Sequence, residues 1–283
     1  MSRDAVPAGK GDALGRIRLF GLTRVDSGTS TIVGFPSVKS RQLLELLALT
    51  PGIPVDKARL AENLWDGDPP PSFAGSLESH VCRLRRLMSE AGWTSAIVTV
   101  AGGYVLDPGV PVDVAVAREV LAGSLDLTPP RACLRVAAIA PPPSATLLAS
   151  SPFSAYAEEA RADLASMMST AMRRACAGAL SLGDGDLAVW LGRRALQEEP
   201  LCDANALALM RAMTAAGATC EAFRVYADFR DRVRDELGVE PGADVQRFYL
   251  AELQRNDRDR ATVAPVERAL LRRLLSSTGP SGG

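Results

Sequence analysis

The chain has 283 residues, 47% hydrophobic and 23% charged, which suits about two domains with their own cores and excludes a mostly disordered polypeptide. Its 32 basic and 33 acidic side chains leave a net charge of −1, so it is no polycationic coat for nucleic acid or lipid, and any such binding must come from a local patch. Five scattered cysteines (Cys82, Cys133, Cys176, Cys202, Cys220) without CxxC spacing, and His80 as the single histidine, give a zinc site or a Cys-His hydrolase little to build on. They fit small buried hydrophobes in a reducing compartment, and no metal or cofactor is expected.

Residues 1–15 are polar and glycine-rich and read as a loose arm without the apolar core of a secretory signal. The uncharged stretch 136–157 is broken by Pro141, Pro142, Pro143 and Pro152, which no spanning helix places together, so the expected compartment is the cytoplasm. Arg16 to Asp26 alternates at period two and predicts a strand with a slip near Gly21 and with Ile17, Leu19, Leu22 and Val25 inward. A second short strand follows at 29–35. Ser37 or Ser40 caps a helix over 41–49, and Asp56 caps another over 57–65 with Leu60, Leu64 and Trp65 on one side. The loop Asp66–Pro71 leads into a longer helix from Ser72 to Ala91. Residues 96–106 then form a hairpin around Ala101-Gly102-Gly103.

After Val112 the strand signals stop. A short helix is expected over 113–125, an unassigned proline-broken stretch over 128–151 and a long helix over 154–182. A repeat then appears at an offset of 34, pairing Gly183 with Gly217, Ala188 with Ala222 and Leu191 with Val225. That period, with glycine at the turn and a small residue five later, is a tetratricopeptide signature. The tail 256–283 is charged, and Val266–Leu275 has the pattern of one more short helix. The fold class is therefore mainly α with a small β component: a winged helix-turn-helix (α+β) domain at 16–111, then an all-α tetratricopeptide-like domain at 112–255.

The helix from Ser72 carries the functional signal. With Leu77 at 0° and about 100° per residue, Val81, Leu84 and Met88 fall within about 40° of it and define the buried stripe. Ser72, Ser76, Ser79, Arg83 and Arg86 fall at about 180–260°, opposite that stripe, with His80 on the flank. Short hydroxyls allow close approach to phosphates and base edges, and arginine presents a fork that fits guanine, so this face suits a DNA major groove. Glu78 is the only acid between Ser72 and Ser89. The hairpin offers a second contact through Thr99 and the Gly102-Gly103 tip, with Tyr104 packing its root; Lys39 and Arg41 are candidate phosphate contacts. The charge split supports binding through a local patch only: residues 1–111 carry 12 basic and 11 acidic side chains, and residues 112–255 carry 15 and 19.

Residues 37–88 (SVKSRQLLELLALTPGIPVDKARLAENLWDGDPPPSFAGSLESHVCRLRRLM) and 97–107 (IVTVAGGYVLD) resemble the OmpR-type winged-helix domain of the Streptomyces antibiotic regulatory protein family. Residues 198–253, from EEPLCDANALALMRA to FYLAEL, resemble the bacterial transcriptional activation domain that follows it there. The resemblance implies a sequence-specific transcriptional activator of secondary-metabolite (antibiotic) genes. It further implies binding to direct repeats of double-stranded promoter DNA near the −35 element, self-association on DNA, and recruitment of RNA polymerase through its sigma factor and alpha subunit. In the family the polymerase approaches the loop between the two reader helices, which makes Asp66 and Asp68 contact candidates here. The stretch 134–153 is more proline-broken than the family helix at that place. No ATPase or phosphopeptide-binding module follows, so no control by nucleotide or kinase within the chain is expected.

Two rival readings belong to other classes. A hydrolase or transferase is disfavoured because Gly183-Asp-Gly-Asp186 lacks the Lys-Ser/Thr of a phosphate loop and sits at a repeat turn. The other is a tetratricopeptide-like adaptor or effector sensor whose winged domain mainly binds protein.

Overall fold

A computed structural model describes residues 5–7, 15–27, 30–139 and 142–258. It divides into two compact units, Met1–Ala175 and Cys176–Gly283.

The first unit opens with strands β1 (Ala5–Pro7), β2 (Arg16–Arg18), β3 (Arg24–Asp26) and β4 (Ser30–Ile32), in the antiparallel order β1-β4-β3-β2. Two of these depart from expectation. Within the predicted arm, Ala5–Pro7 pairs with Ser30–Ile32; most of the arm lies outside the described residues. The expected slip at Gly21 is instead a reversal between β2 and β3, with Gly21 at φ 79°. Ile17, Leu19 and Val25 are fully buried, but Leu22, within that reversal, is exposed.

Helix α1 (Val38–Ala48) begins at Ser37, whose Oγ accepts from the Ser40 amide at 3.1 Å. Helix α2 (Lys57–Leu64) begins at Asp56, which accepts from the Arg59 amide at 2.7 Å. Both caps satisfy amides that a helix start leaves without partners. Helix α3 (Phe73–Glu90) follows, then β6 (Ile97–Val100) and β7 (Gly103–Leu106). The two-residue strand β5 (Val55–Asp56) joins β7 to give the order β5-β7-β6. Leu43, Leu44 and Leu47 of α1, Leu60 and Leu64 of α2, and Leu77, Leu84 and Met88 of α3 are fully buried and form the core between the three helices.

Helix α4 (Asp113–Leu125) is anchored by Asp113, whose carboxylate accepts from the Leu19 and Phe20 amides at 2.9 and 3.2 Å. The unassigned stretch resolves into α5 (Pro129–Ile139), with prolines in the first turn where a missing N–H costs nothing, and a 3-10 turn at Ser144–Thr146. Residues 146–149 then run beside the β2–β3 reversal: Gly21 donates to Thr146 O at 2.7 Å, Leu148 to Leu19 O at 2.8 Å and Ala149 to Gly21 O at 3.0 Å. These bonds, with Asp113, place α4, α5 and most of α6 (Ala155–Ser181) in the same unit as the winged helix.

The second unit contains α7 (Gly185–Glu198), α8 (Asp203–Ala215), α9 (Thr219–Leu237) and a further helix, α10, at 243–258. The repeat is realised in its details. Gly183 and Gly217 take φ 78° and 80° at equivalent turns, and Ala188 and Ala222 are both buried. Tyr226 stacks on Tyr249 at 4.0 Å, tying α9 to α10. At the first turn Asp184 accepts from the Leu187 amide at 3.0 Å and so caps α7, a structural use for an acid of the Gly183–Asp186 motif. The expected helix at 266–275 lies outside the described residues.

Candidate nucleic-acid interface

The α3 stripe is buried as its spacing requires: Leu77, Val81, Leu84 and Met88 are at most 2% exposed, and Leu87 joins them. With that face fixed, helical periodicity turns the opposite side outward. Ser72, Ser79, Arg83 and Arg86 are exposed, and Ser76 is half-buried. Ser72 makes no capping bond to its own helix, which leaves its hydroxyl available. Ser79 Oγ donates to Gly75 O at 3.0 Å. Cys82 is also exposed on this helix, as its place on the wheel beside Arg86 requires, and Cys220 is exposed too, so the expectation of buried cysteines holds only for Cys133 and Cys176, with Cys202 half-buried.

The acid on this helix is neutralised: Glu78 pairs with Lys57 at 2.8 Å. That hydrogen bond holds the Glu78 carboxyl below and the Lys57 ammonium above their ordinary values. Both groups are solvated, so the pair contributes little stability. It does remove an unbalanced negative charge beside the exposed face of α3.

The hairpin is attached to α3 by one residue the sequence reading left on a flank. Arg85 donates through Nε to Ile97 O at 2.9 Å and through Nη2 to Thr99 Oγ1 at 2.7 Å. Its guanidinium thereby sets the hairpin against the helix. Thr99 and Gly102 are exposed, and Tyr104 is 3% exposed under the ammonium of Lys57. Gly103 is not at the tip. It is buried, and a Cβ there would lie 2.1 Å from Val55 O, so glycine is needed for β5 to pair with β7. Its expected place in a DNA contact gives way to this strand-pairing role.

Three further candidates are held within the protein. The Lys39 ammonium donates to Leu64 O and lies 5.9 Å from the Trp65 ring, so it satisfies the C-terminal end of α2. Arg41 pairs with Glu45 at 3.2 Å and donates to Ser150 O at 2.6 Å. Glu45 is fully buried and also accepts from Thr23, from Ser151 at 2.7 Å and from the Tyr156 hydroxyl at 2.6 Å. A carboxylate this deep must keep its partners, and Arg41 is one of them. His80 has Nδ1 3.1 Å from Ser40 Oγ, at the start of α1. Burial holds its pKa below the ordinary value, followed by the nearby positive charges of Arg83 and Lys39. The exposed set is thus Ser72, Ser79, Arg83, Arg86, Thr99 and Gly102. Asp66 and Asp68 are exposed in the α2–α3 loop, where Asp66 and Gly67 both take left-handed backbone, at φ 52° and 87°.

Two family models match the chain: the C-terminal domain of transcriptional regulatory proteins over residues 36–106, and the bacterial transcriptional activator domain over residues 144–253. The chain is 29% identical to the regulatory protein AfsR of Streptomyces griseus over 267 residues, covering 88% of this chain and 25% of that protein. It is 28% identical to the transcriptional regulator RedD of Streptomyces coelicolor over 255 residues, covering 85% and 71%. The chain therefore spans about a quarter of the length of AfsR. Among solved structures, Mycobacterium tuberculosis EmbR, determined with a low-affinity phosphopeptide, has the same fold, with a TM-score of 0.69 at 21% identity over 92% of this chain and 71% of that one.

Three helices with a hairpin, followed by helical repeats, are the arrangement that these two models of transcriptional regulators describe. With both domain models matched in this order and with relatives such as AfsR and RedD, the chain is similar to the transcriptional regulators of the Streptomyces antibiotic regulatory protein family.

Proposed function

We propose that the chain activates an antibiotic or other secondary-metabolite gene cluster by reading promoter DNA with α3. The observation that carries this reading is the exposed face Ser72, Ser79, Arg83 and Arg86, opposite a fully buried stripe and flanked by a hairpin that Arg85 holds in place. In this reading α3 enters the major groove. Arg83 and Arg86 address base edges or phosphates, the serines allow close approach, and Thr99 and Gly102 meet the backbone beside it. Copies bind direct repeats near the −35 element and associate there, and the Asp66–Asp68 loop meets the sigma factor or alpha subunit of RNA polymerase. The protein acts in the cytoplasm; no described helix is long and apolar enough to cross a membrane.

The test is a promoter titration of wild type and Arg83→Ala at fixed salt. The variant is expected to bind its target more weakly by about 1–3 kcal/mol and to narrow the gap to random DNA. Equal affinities would remove α3 from base reading. A wild type that shows no salt-dependent DNA binding would instead favour the adaptor reading.

A further inference from the structure

The first unit holds a cleft of about 220 Å³ lined by none of the reading-face residues. At about 30 Å³ per water it has room for roughly seven waters. That is below the 300 Å³ or so of pockets that enclose drug-sized ligands, so the cleft suits a small ligand. Part of its wall is aliphatic: Leu46, Leu49 and Ile53, at and beyond the end of α1.

The charged groups around it are arranged unusually. Arg118 of α4 is half-buried and spends one nitrogen on Leu49 O at 2.9 Å. Exposed at its rim are Arg59 of α2 and, one turn apart on a shared face of α6, Glu159 and Asp163. Among the described residues none of these four forms an ion pair, although both signs line the same small space. Only Arg118 is half-buried, and Leu49 O is the one hydrogen-bond partner of its guanidinium among the described residues, so its remaining donors are open to an anion in the cleft; leaving such a group without one is costly. Burial also holds the Arg118 guanidinium below its ordinary value, with Asp163 acting against it.

A ligand that satisfies this lining carries an anion, a cation and a short aliphatic part. We propose that the cleft binds a free aliphatic α-amino acid, with its carboxylate on Arg118, its ammonium on Glu159 or Asp163, and its side chain against Leu46, Leu49 and Ile53. Such a ligand bridges α1, which supports the reader, to α4 and α6, and it gives the regulator a direct input from the amino-acid pool. The site is separate from the DNA-reading proposal.

The test is calorimetry on the full chain without DNA, with L-leucine as probe. Saturable binding is expected, weakened about tenfold or more when the carboxylate is amidated (leucinamide) or the ammonium is acetylated (N-acetyl-leucine), since each change removes a charge-assisted bond. Arg118→Gln is expected to abolish binding. Because Arg118 also holds Leu49, the double variant Glu159→Gln/Asp163→Asn serves as the second arm, and it should weaken leucine at least tenfold while the protein melts as wild type does. The proposal is overturned if leucine, isoleucine and valine show no saturable binding at millimolar concentration, if N-acetyl-leucine binds as well as leucine, or if the double variant binds unchanged. None of these readouts involves DNA, so a failure here is distinct from a failure of α3 as the reading helix.

Discussion

His80 joins α3 to the start of α1 through Ser40, and its surroundings disfavour the charged ring. The unfolded chain therefore takes up that proton more readily than the folded one. The stabilisation from a neutral His80 is complete above the unfolded value of about 6.5 and is lost as pH falls from there toward the lower folded value. Urea unfolding in a pH series should show stability declining below about pH 6.5, and His80→Gln should flatten that part of the curve. Identical curves for the two proteins would assign the pH dependence elsewhere. Glu45 poses the complementary case, a carboxylate wholly inside that accepts from Thr23, Ser151 and Tyr156 and pairs with Arg41 of its own helix. Tyr156→Phe removes one donor without opening a large cavity. It should cost about 1.5–3 kcal/mol in denaturant unfolding, the range for a bond to a charged acceptor. A change of only a few tenths would mean that Thr23 and Ser151 carry the carboxylate on their own.

The loop between α2 and α3 is where the proposed activation surface lies. Its turn is fixed by bonds from Gly67 to Glu62 O and from Asp68 to Trp65 O, at 2.9 and 3.0 Å. Because Asp66 sits in left-handed backbone, which asparagine tolerates better than alanine, the informative substitution is Asp66→Asn with Asp68→Asn. This double variant should bind promoter as wild type does and transcribe less in a reconstituted assay with polymerase holoenzyme. Undiminished transcription would move the activation surface off the loop. At this scale the sequence was largely legible. The period of α3 separates buried from exposed faces without knowledge of any partner, and the caps Ser37 and Asp56 stand next to the helices they start. What it hid was non-local. Arg41 looks free until Ser150, 109 residues away, is known to lie beside it, and Gly103 looks like a turn residue until β5 is paired with β7. Arg85 fell on a flank of the wheel because its partners belong to the hairpin.

The whole chain asks why a short reader is joined to helical repeats. One helix and one wing offer few base contacts, and two copies on adjacent repeats gain selectivity through effective concentration when a protein contact fits their spacing. Residues 112–255 carry four more acidic than basic side chains, which favours protein contact over DNA contact for that half. Truncation should respect the compact unit that ends at Ala175. A chain cut after residue 111 lacks Asp113, Ser151 and Tyr156, and is expected to melt well below residues 1–175. Residues 1–175 should bind a single repeat as the full chain does, and only the full chain should occupy two repeats cooperatively. Titration on promoters with one and two repeats checks both points. Cooperativity retained by 1–175 would leave the repeat helices with another task.

The depth of Glu45 also bears on how the protein is made. Its Tyr156 donor lies 111 residues further along the chain. At a synthesis rate of about 5–20 residues per second, roughly 6–22 seconds separate the appearance of the two partners on the ribosome. Throughout that interval α1 carries a carboxylate bound for the interior with its Tyr156 donor still unmade, and Ser151 appears only five residues before it. The reader half, although translated first, completes its folding only after the start of α6 has emerged, and the nascent chain spends that time within reach of chaperones.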